Sequence, residues 1–253
     1  MESSRLNIRE LNRDAIKYIA MSAMLLNHIS IMFLSTGSSL ALVFEYIGYF
    51  TAPTMCFFLV EGYRCTRSKK RYGRRLLIFA VISQIPFGLA FQFDSFNMIY
   101  TLLCCFLILV VREKVQNYSL RTMLGICLTL ATVIGDWALL APVFTILFYE
   151  SGGERRGLIR GYMVGYALFV FSMVQNYMMG SEYTVQKAVF LGFSSGMGIV
   201  ASAVVIVFFY NGKRAQRGTA FSKWFFYVFY PGHLMILYLI KRYVGGAVWF
   251  AGI

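Results

Sequence analysis

Charge is what this sequence has least of. Asp, Glu, Lys and Arg together make up 14% of its 253 residues, against about 25% in an ordinary soluble domain, and that shortage excludes a water-soluble globule. Four prolines and five cysteines fit neither a disordered or collagenous chain nor a disulfide-stapled scaffold. No P-loop and no Gly-rich dinucleotide fingerprint occurs, which argues against nucleotide hydrolysis. Histidine is the scarcest ionisable residue, with two copies, and acidic residues number 11 against 24 basic ones.

What is present is apolar: 58% hydrophobic, 17% aromatic and a mean hydropathy of +0.64. These values describe an all-α, polytopic integral membrane protein. A crossing helix needs roughly 20 apolar residues. Runs of that kind cover about 15–35, 41–63, 76–93, 97–111, 158–175, 188–210 and 224–243. The stretch 122–149 is too long for one ordinary span and is interrupted by Gly135-Asp136, which predicts two short helices or a re-entrant hairpin. Counting it as two gives about nine transmembrane helices, within a range of eight to ten, with the N-terminus cytoplasmic.

The positive-inside rule tests that count. With nine spans, every Lys and Arg except Lys187, Lys241 and Arg242 falls on the cytoplasmic side. Reading 122–149 as one span would move Arg155, Arg156 and Arg160 outside. The net charge of +13 is therefore mostly topology rather than a nucleic-acid footprint. Membrane lipids are the expected surroundings, and a bacterial inner or plasma membrane the expected location. Glu2, Glu10 and Asp14 precede a first run of full span length without a cleavage site, so that run is expected to stay as a helix. Neither a linker nor an internal repeat is visible, giving a single domain over 1–253.

Ionisable side chains inside spans are costly and mark cavities or partners. His28 lies 11 residues beyond Lys17, roughly 16 Å into its helix, and His233 lies 10 residues beyond Lys223 at a comparable depth. Each can be a base, or packing glue bonded to a neighbouring helix. Asn27 is placed to orient the His28 imidazole, and Pro231-Gly232 opens the backbone before His233 for close approach of a ligand or helix. Asp136, in Gly135-Asp136-Trp137, reads equally as a solvated turn or as a site residue. Glu61 and Arg64 share a helix face at the cytoplasmic mouth, where they can pair. The densest charge, from Arg64 through Arg67 and Arg71 to Arg75, suits topology and anionic lipid, or the phosphates of a cytosolic ligand. Cys56, Cys104, Cys105 and Cys127 lie in spans and Cys65 in a loop, without metal-ligand spacing, so no metal site is expected.

Several segments in order carry a resemblance. They are Ile16-Lys17-Tyr18-Ile19-Ala20 through Asn27-His28, then Ala52-Pro53 leading to Glu61-Gly62-Tyr63-Arg64-Cys65-Thr66. Tyr72-Gly73-Arg74-Arg75-Leu76-Leu77 follows, running on to Ser83-Gln84-Ile85-Pro86-Phe87. Asn97, Gly135-Asp136-Trp137 and a closing Lys223-Trp224-Phe225-Phe226-Tyr227-Val228-Phe229-Tyr230-Pro231-Gly232-His233-Leu234 complete the set. Over nearly its whole length the chain resembles the TraX family of bacterial membrane proteins, a branch of the transmembrane acyltransferase superfamily. Asn27 stands where that family usually has Asp. The resemblance implies transfer of an acetyl or other acyl group from cytosolic acetyl-CoA to an amine or hydroxyl, on a pilin-like peptide N-terminus or a cell-surface glycan. It implies His28 as general base, His233 as a second acid/base or orienting group beside Asn27, and Asp136 on the acceptor side. Arg64, Arg67, Arg71 and Arg75, with Glu61, are the implied donor-binding residues. A small-solute or proton-coupled transporter using the same histidines is one competing expectation, and a structural or assembly membrane protein without chemistry is another.

Overall fold

The computed structural model describes residues 10–92, 95–180, 183–215 and 219–250. Arg5, Arg9 and Arg217, the side chain of Lys223 and the last residue of the 76–93 run lie outside that description. The described residues are helical apart from loops and two isolated bridges. In chain order the helices are α1 Arg13–Phe33, α2 Ser39–Gly48, α3 Thr51–Cys65, α4 Lys69–Phe91, α5 Met98–Lys114 and α6 Tyr118–Ala131. They continue as α7 Leu140–Glu150, α8 Arg155–Gly180, α9 Val185–Ser195, α10 Met197–Val204 and α11 Thr219–Phe250.

Six of the helix starts have a local cause. Asn12, Ser38, Ser68, Asn97, Asn117 and Thr184 cap α1, α2, α4, α5, α6 and α9 by accepting from first-turn backbone N–H groups that no helix can satisfy internally. Apolar side chains cover the outside of the bundle as well as filling its core. Val81 and Ile85 of α4 are 64% and 61% exposed, whereas Thr54, Thr101, Asn97 and Ser202 are fully buried. An apolar outside with polar side chains turned inward suits a bilayer that cannot hydrogen-bond. Thr54 shares hydroxyl hydrogen bonds with Ser202 at 2.7 Å, and Ser202 with Tyr162 at 2.9 Å, tying α3, α10 and α8 together.

Among the described residues, five segments are long and apolar enough to cross a membrane: Arg13–Phe33, Ser39–Cys65, Lys69–Phe91, Arg155–Met179 and Val185–Phe209. The protein is a multi-pass membrane protein. The apolar helices Tyr118–Ile134 and Leu140–Glu150 are shorter. They bear directly on 122–149. Arg112 at the end of α5 pairs with Glu150 at the end of α7, so both lie at one end of the bundle. Phe96, ahead of α5, exchanges backbone hydrogen bonds with Ile134 and Asp136, so the turn between α6 and α7 lies at the other. The chain leaves and returns between α5 and α8, as the charge count required.

The charged end is laced shut. Leu11 pairs with Phe209 and Asn211, Arg13 N–H donates to Lys213, and the Asp14 carboxylate accepts from Ala215 N–H at 3.0 Å. A π-helical turn at Val205–Phe209 precedes this pairing and shifts the chain's register there. At the far end of α4, Gln84 and Asn97 lock two quoted motifs to each other. The Asn97 amide donates to Ala80 O and Gln84 Oε1, and Gln84 Nε2 donates to Ser95 O. α1 packs on α2, α3 and α11, and α4 bridges α11 and α5.

Candidate functional site

The two histidines meet. His28 Nδ1 lies 2.8 Å from His233 Nε2, with the ring planes parallel to within 1° and the centroids 5.0 Å apart, an edge-to-edge meeting in one plane. Both are 6% exposed. His233 Nδ1 lies 2.8 Å from the Phe229 carbonyl, one turn back in α11.

These contacts assign the protons. A carbonyl only accepts, so His233 Nδ1 carries hydrogen and donates to it. In the neutral ring His233 Nε2 is then a bare acceptor, and His28 Nδ1–H donates to it. His28 Nε2 keeps its lone pair. The pair is a chain of donors ending on a backbone carbonyl, with a single basic nitrogen at its other end. Phe91 meets the His28 ring edge-on at 5.4 Å and Phe229 lies against His233 at 4.8 Å, walling the pair with aromatic carbon.

Beside it lies a cavity of about 640 Å³, inside the range of small-molecule sites. Its mouth holds Arg13, Lys17, Arg67, Arg71, Arg75 and Arg214 against Asp14. Its inner end is formed by Met24, Thr51, Met98 and Tyr230. Met24 and His28 are four residues apart in α1, and Tyr230 and His233 three apart in α11, so each histidine follows one turn beyond a lining residue, and neither is itself part of the lining. From Lys17 to His28 is roughly 16 Å of helix rise. The site therefore suits an elongated ligand with its anionic part at the mouth and its reacting part at the inner end. Among the described residues, no group of three or more His, Cys, Asp or Glu side chains is placed to hold a metal.

The expected donor-binding residues divide. Arg67, Arg71 and Arg75 line this cavity. Arg64 and Glu61 do not: with Arg155 they line a separate 310 Å³ pocket on the other side of α3. The Arg64 guanidinium donates to the Tyr149 carbonyl, and Glu61 accepts from the Tyr210 hydroxyl and pairs with Arg13 Nε at 3.4 Å. Glu61 and Arg64 thus do not pair with each other; Glu61 braces Arg13 instead. Glu61 and Arg64 each stand one residue, about 100° around α3, from Gly62 and Cys65 of the larger cavity, and that turn carries them into the second pocket.

Asn27 does not orient His28, because His233 occupies that nitrogen. Its side chain packs on Gly48 of α2, where an added Cβ would come within 2.4 Å. At Gly232 a Cβ would meet nothing within 4 Å, so among the described residues no side chain or backbone makes the close approach expected there. Asp136 sits in the far-end turn, its carbonyl accepting from Thr101 Oγ1 at 2.7 Å and its half-buried carboxyl pushed up to about 6 by desolvation. Trp137 and Leu139 hold positive φ of 57° and 59° in the same turn, and the Trp137 ring lies on Phe169 at 5.6 Å. Asp136 lies outside the cavity lining. Sequence reasoning missed Arg13, Lys17, Arg214 and Tyr230 as cavity residues. The signal for the α1 members was present, since 13, 17, 21, 24 and 28 recur at helical spacing on one face.

The profile of the TraX family, described as TraX protein, matches residues 12–241. Among proteins of known name, a probable fimbrial assembly protein FimC, serogroup H1, of Dichelobacter nodosus is 28% identical over 246 residues, covering 90% of this chain and 95% of that protein. No solved structure matches.

Proposed function

Since the chain belongs to the TraX family, we propose that it is a membrane acyltransferase, moving an acetyl group from cytosolic acetyl-CoA to an amine or hydroxyl acceptor. The observation that carries this reading is the 2.8 Å His28–His233 contact one turn beyond the inner end of a cavity with a cationic mouth. The fimbrial assembly name of the relative supports a pilus-related acceptor, such as a pilin-like N-terminus.

The chemistry follows from the proton assignment. The donor's phosphates lie among Arg67, Arg71, Arg75 and Arg214, where guanidinium forks match phosphate oxygens. Its thioester reaches the inner end. As the acceptor's lone pair attacks the thioester carbon, its proton passes to His28 Nε2. The His28 imidazolium is stabilised through Nδ1–H by His233, which Phe229 holds in the accepting tautomer. The C–S bond then breaks, and the leaving thiolate recovers the proton from His28. The aromatic wall keeps water from competing as acceptor.

The test supplies acetyl-CoA carrying a labelled acetyl group to the arginine-lined face of vesicles that hold the full chain, and follows thiol release and label transfer. Turnover that falls at least about 10²-fold in His28→Ala is the expected result. Thiol release equal to that of empty vesicles overturns the reading. Solute or proton uptake abolished by the same substitution would establish the transporter in its place.

A further inference from the structure

We infer that Tyr230 supplies the hydrogen bond to the thioester oxygen in the transfer step; this rests on the acyltransferase reading above. The base is accounted for by the histidine pair, but negative charge also develops on the carbonyl oxygen as the tetrahedral intermediate forms, and stabilising it is often the largest single contribution to catalysis. In a site walled with Phe, Met and Leu side chains, few neutral donors are available at the inner end. Tyr230 is one.

Tyr230 lines the cavity at that end and is 5% exposed. Its oxygen accepts from Met98 N–H at 3.2 Å. Met98 is the first residue of α5. Asn97 Oδ1 takes the next two first-turn N–H groups, those of Ile99 and Tyr100, which leaves the Met98 N–H for Tyr230. Among the described residues the Tyr230 hydroxyl proton has no acceptor. A buried hydroxyl that accepts from a helix N-terminus and still has its own hydrogen to give is a polarised donor, because each hydrogen bond in a chain strengthens the next.

Its place matches its role. Tyr230 is one turn ahead of His233 in α11, with ring centroids 5.8 Å apart. It thus stands between the cationic mouth and the imidazoles, on the side from which the donor arrives. In order from the mouth come arginines for the phosphates and Tyr230 for the carbonyl oxygen, both in the cavity lining, and then His28, one turn beyond that lining, for the acceptor's proton. As the acceptor adds, the C=O π electrons move onto oxygen and the Tyr230 O–H donates to it. When the C–S bond breaks they return to re-form the carbonyl, and Tyr230 keeps its proton throughout.

Tyr230→Phe retains the ring and removes only the hydroxyl. Measured in the vesicle assay with acetyl-CoA, it is expected to lower kcat by about 10²-fold with KM for acetyl-CoA near that of the unsubstituted protein. A second variant covers loss of folding: Tyr230→3,5-difluorotyrosine keeps the ring and its hydroxyl and makes the phenol a stronger hydrogen-bond donor. Its kcat at neutral pH is expected to rise, because a stronger donor stabilises the developing oxyanion more, a change that a packing role for the ring would not produce. Unchanged kcat in Tyr230→Phe, or a difluorotyrosine kcat no higher than that of the unsubstituted protein, overturns the assignment while leaving the acyltransferase reading intact. Absence of turnover in the unsubstituted protein removes both.

Discussion

The two ends of the cavity are built on opposite principles. At the mouth, six cationic side chains crowd around one ligand-sized opening, and several have loose or alternative partners: Lys17 Nζ lies over the Phe226 ring at 4.8 Å, and Arg75 over Tyr72 at 5.6 Å. At the inner end two neutral imidazoles and one phenol hold every polar atom in a defined role except His28 Nε2 and the Tyr230 proton. Redundancy at the mouth suits recognition of a polyanion by many weak contacts. Scarcity at the inner end suits a reaction, where one atom out of place removes the function.

That contrast predicts graded losses. His28→Asn sets an amide near the Nδ1 position, preserving a donor to His233 while deleting the basic nitrogen. Turnover is expected to fall about 10²–10⁴-fold, with acetyl-CoA binding retained in a direct binding measurement. At His233 the two amides separate the roles. Gln places an acceptor near the old Nε2 and is expected to keep most activity, whereas Asn leaves the His28 N–H buried without an acceptor. That loss corresponds to about 1–3 kcal/mol, read as a roughly tenfold to hundredfold fall in kcat. If both variants behaved alike, the donor chain would be wrong.

At the mouth the same logic predicts tolerance. Arg71→Ala removes one exposed cation among several and is expected to raise KM for acetyl-CoA only a few-fold, with kcat unchanged and the effect shrinking in high salt. Loss of kcat on that substitution would erase the distinction between the ends. The smallest effect concerns stability. Lys69 and Tyr63 both donate to Glu113, holding its carboxyl below the ordinary range. A depressed acid contributes stability above its unfolded value near 4.5, and the contribution is lost as pH falls through the folded value. Glu113→Gln should therefore flatten the acid side of a thermal-unfolding profile in detergent and leave neutral turnover unchanged.

Much of this was legible in the sequence, and the gaps have physical reasons. Hydropathy runs and Lys/Arg placement were enough to fold 122–149 back on itself, because the bilayer imposes both length and charge asymmetry. His28 and His233 stood out in the sequence by rarity and depth. Their contact did not, since depth along two helices says nothing about which faces turn together. Asn27 looked like the partner because it is adjacent in sequence, yet neighbours on a helix point about 100° apart, and Asn27 faces Gly48 instead. The Arg64 to Arg75 run misled for the same reason: α3 ends at Cys65 and α4 begins at Lys69, so consecutive cations serve different cavities. Tyr230 stands in the closing segment of the resemblance, but nothing there pointed to the role inferred for it, which depends on the start of α5, far away in the chain.

The central claim is the proton arrangement of the histidine pair, and the sequence makes it directly measurable. With two histidines in the whole chain, selective ¹⁵N-histidine labelling gives an NMR spectrum containing these rings and no others. The account predicts hydrogen on Nδ1 of both rings and a bare Nε2 on both, the minority tautomer in solution, with coupling across the His28 Nδ1–H to His233 Nε2 hydrogen bond. Hydrogen on Nε2 of His28, or absence of any coupling between the rings, would contradict it.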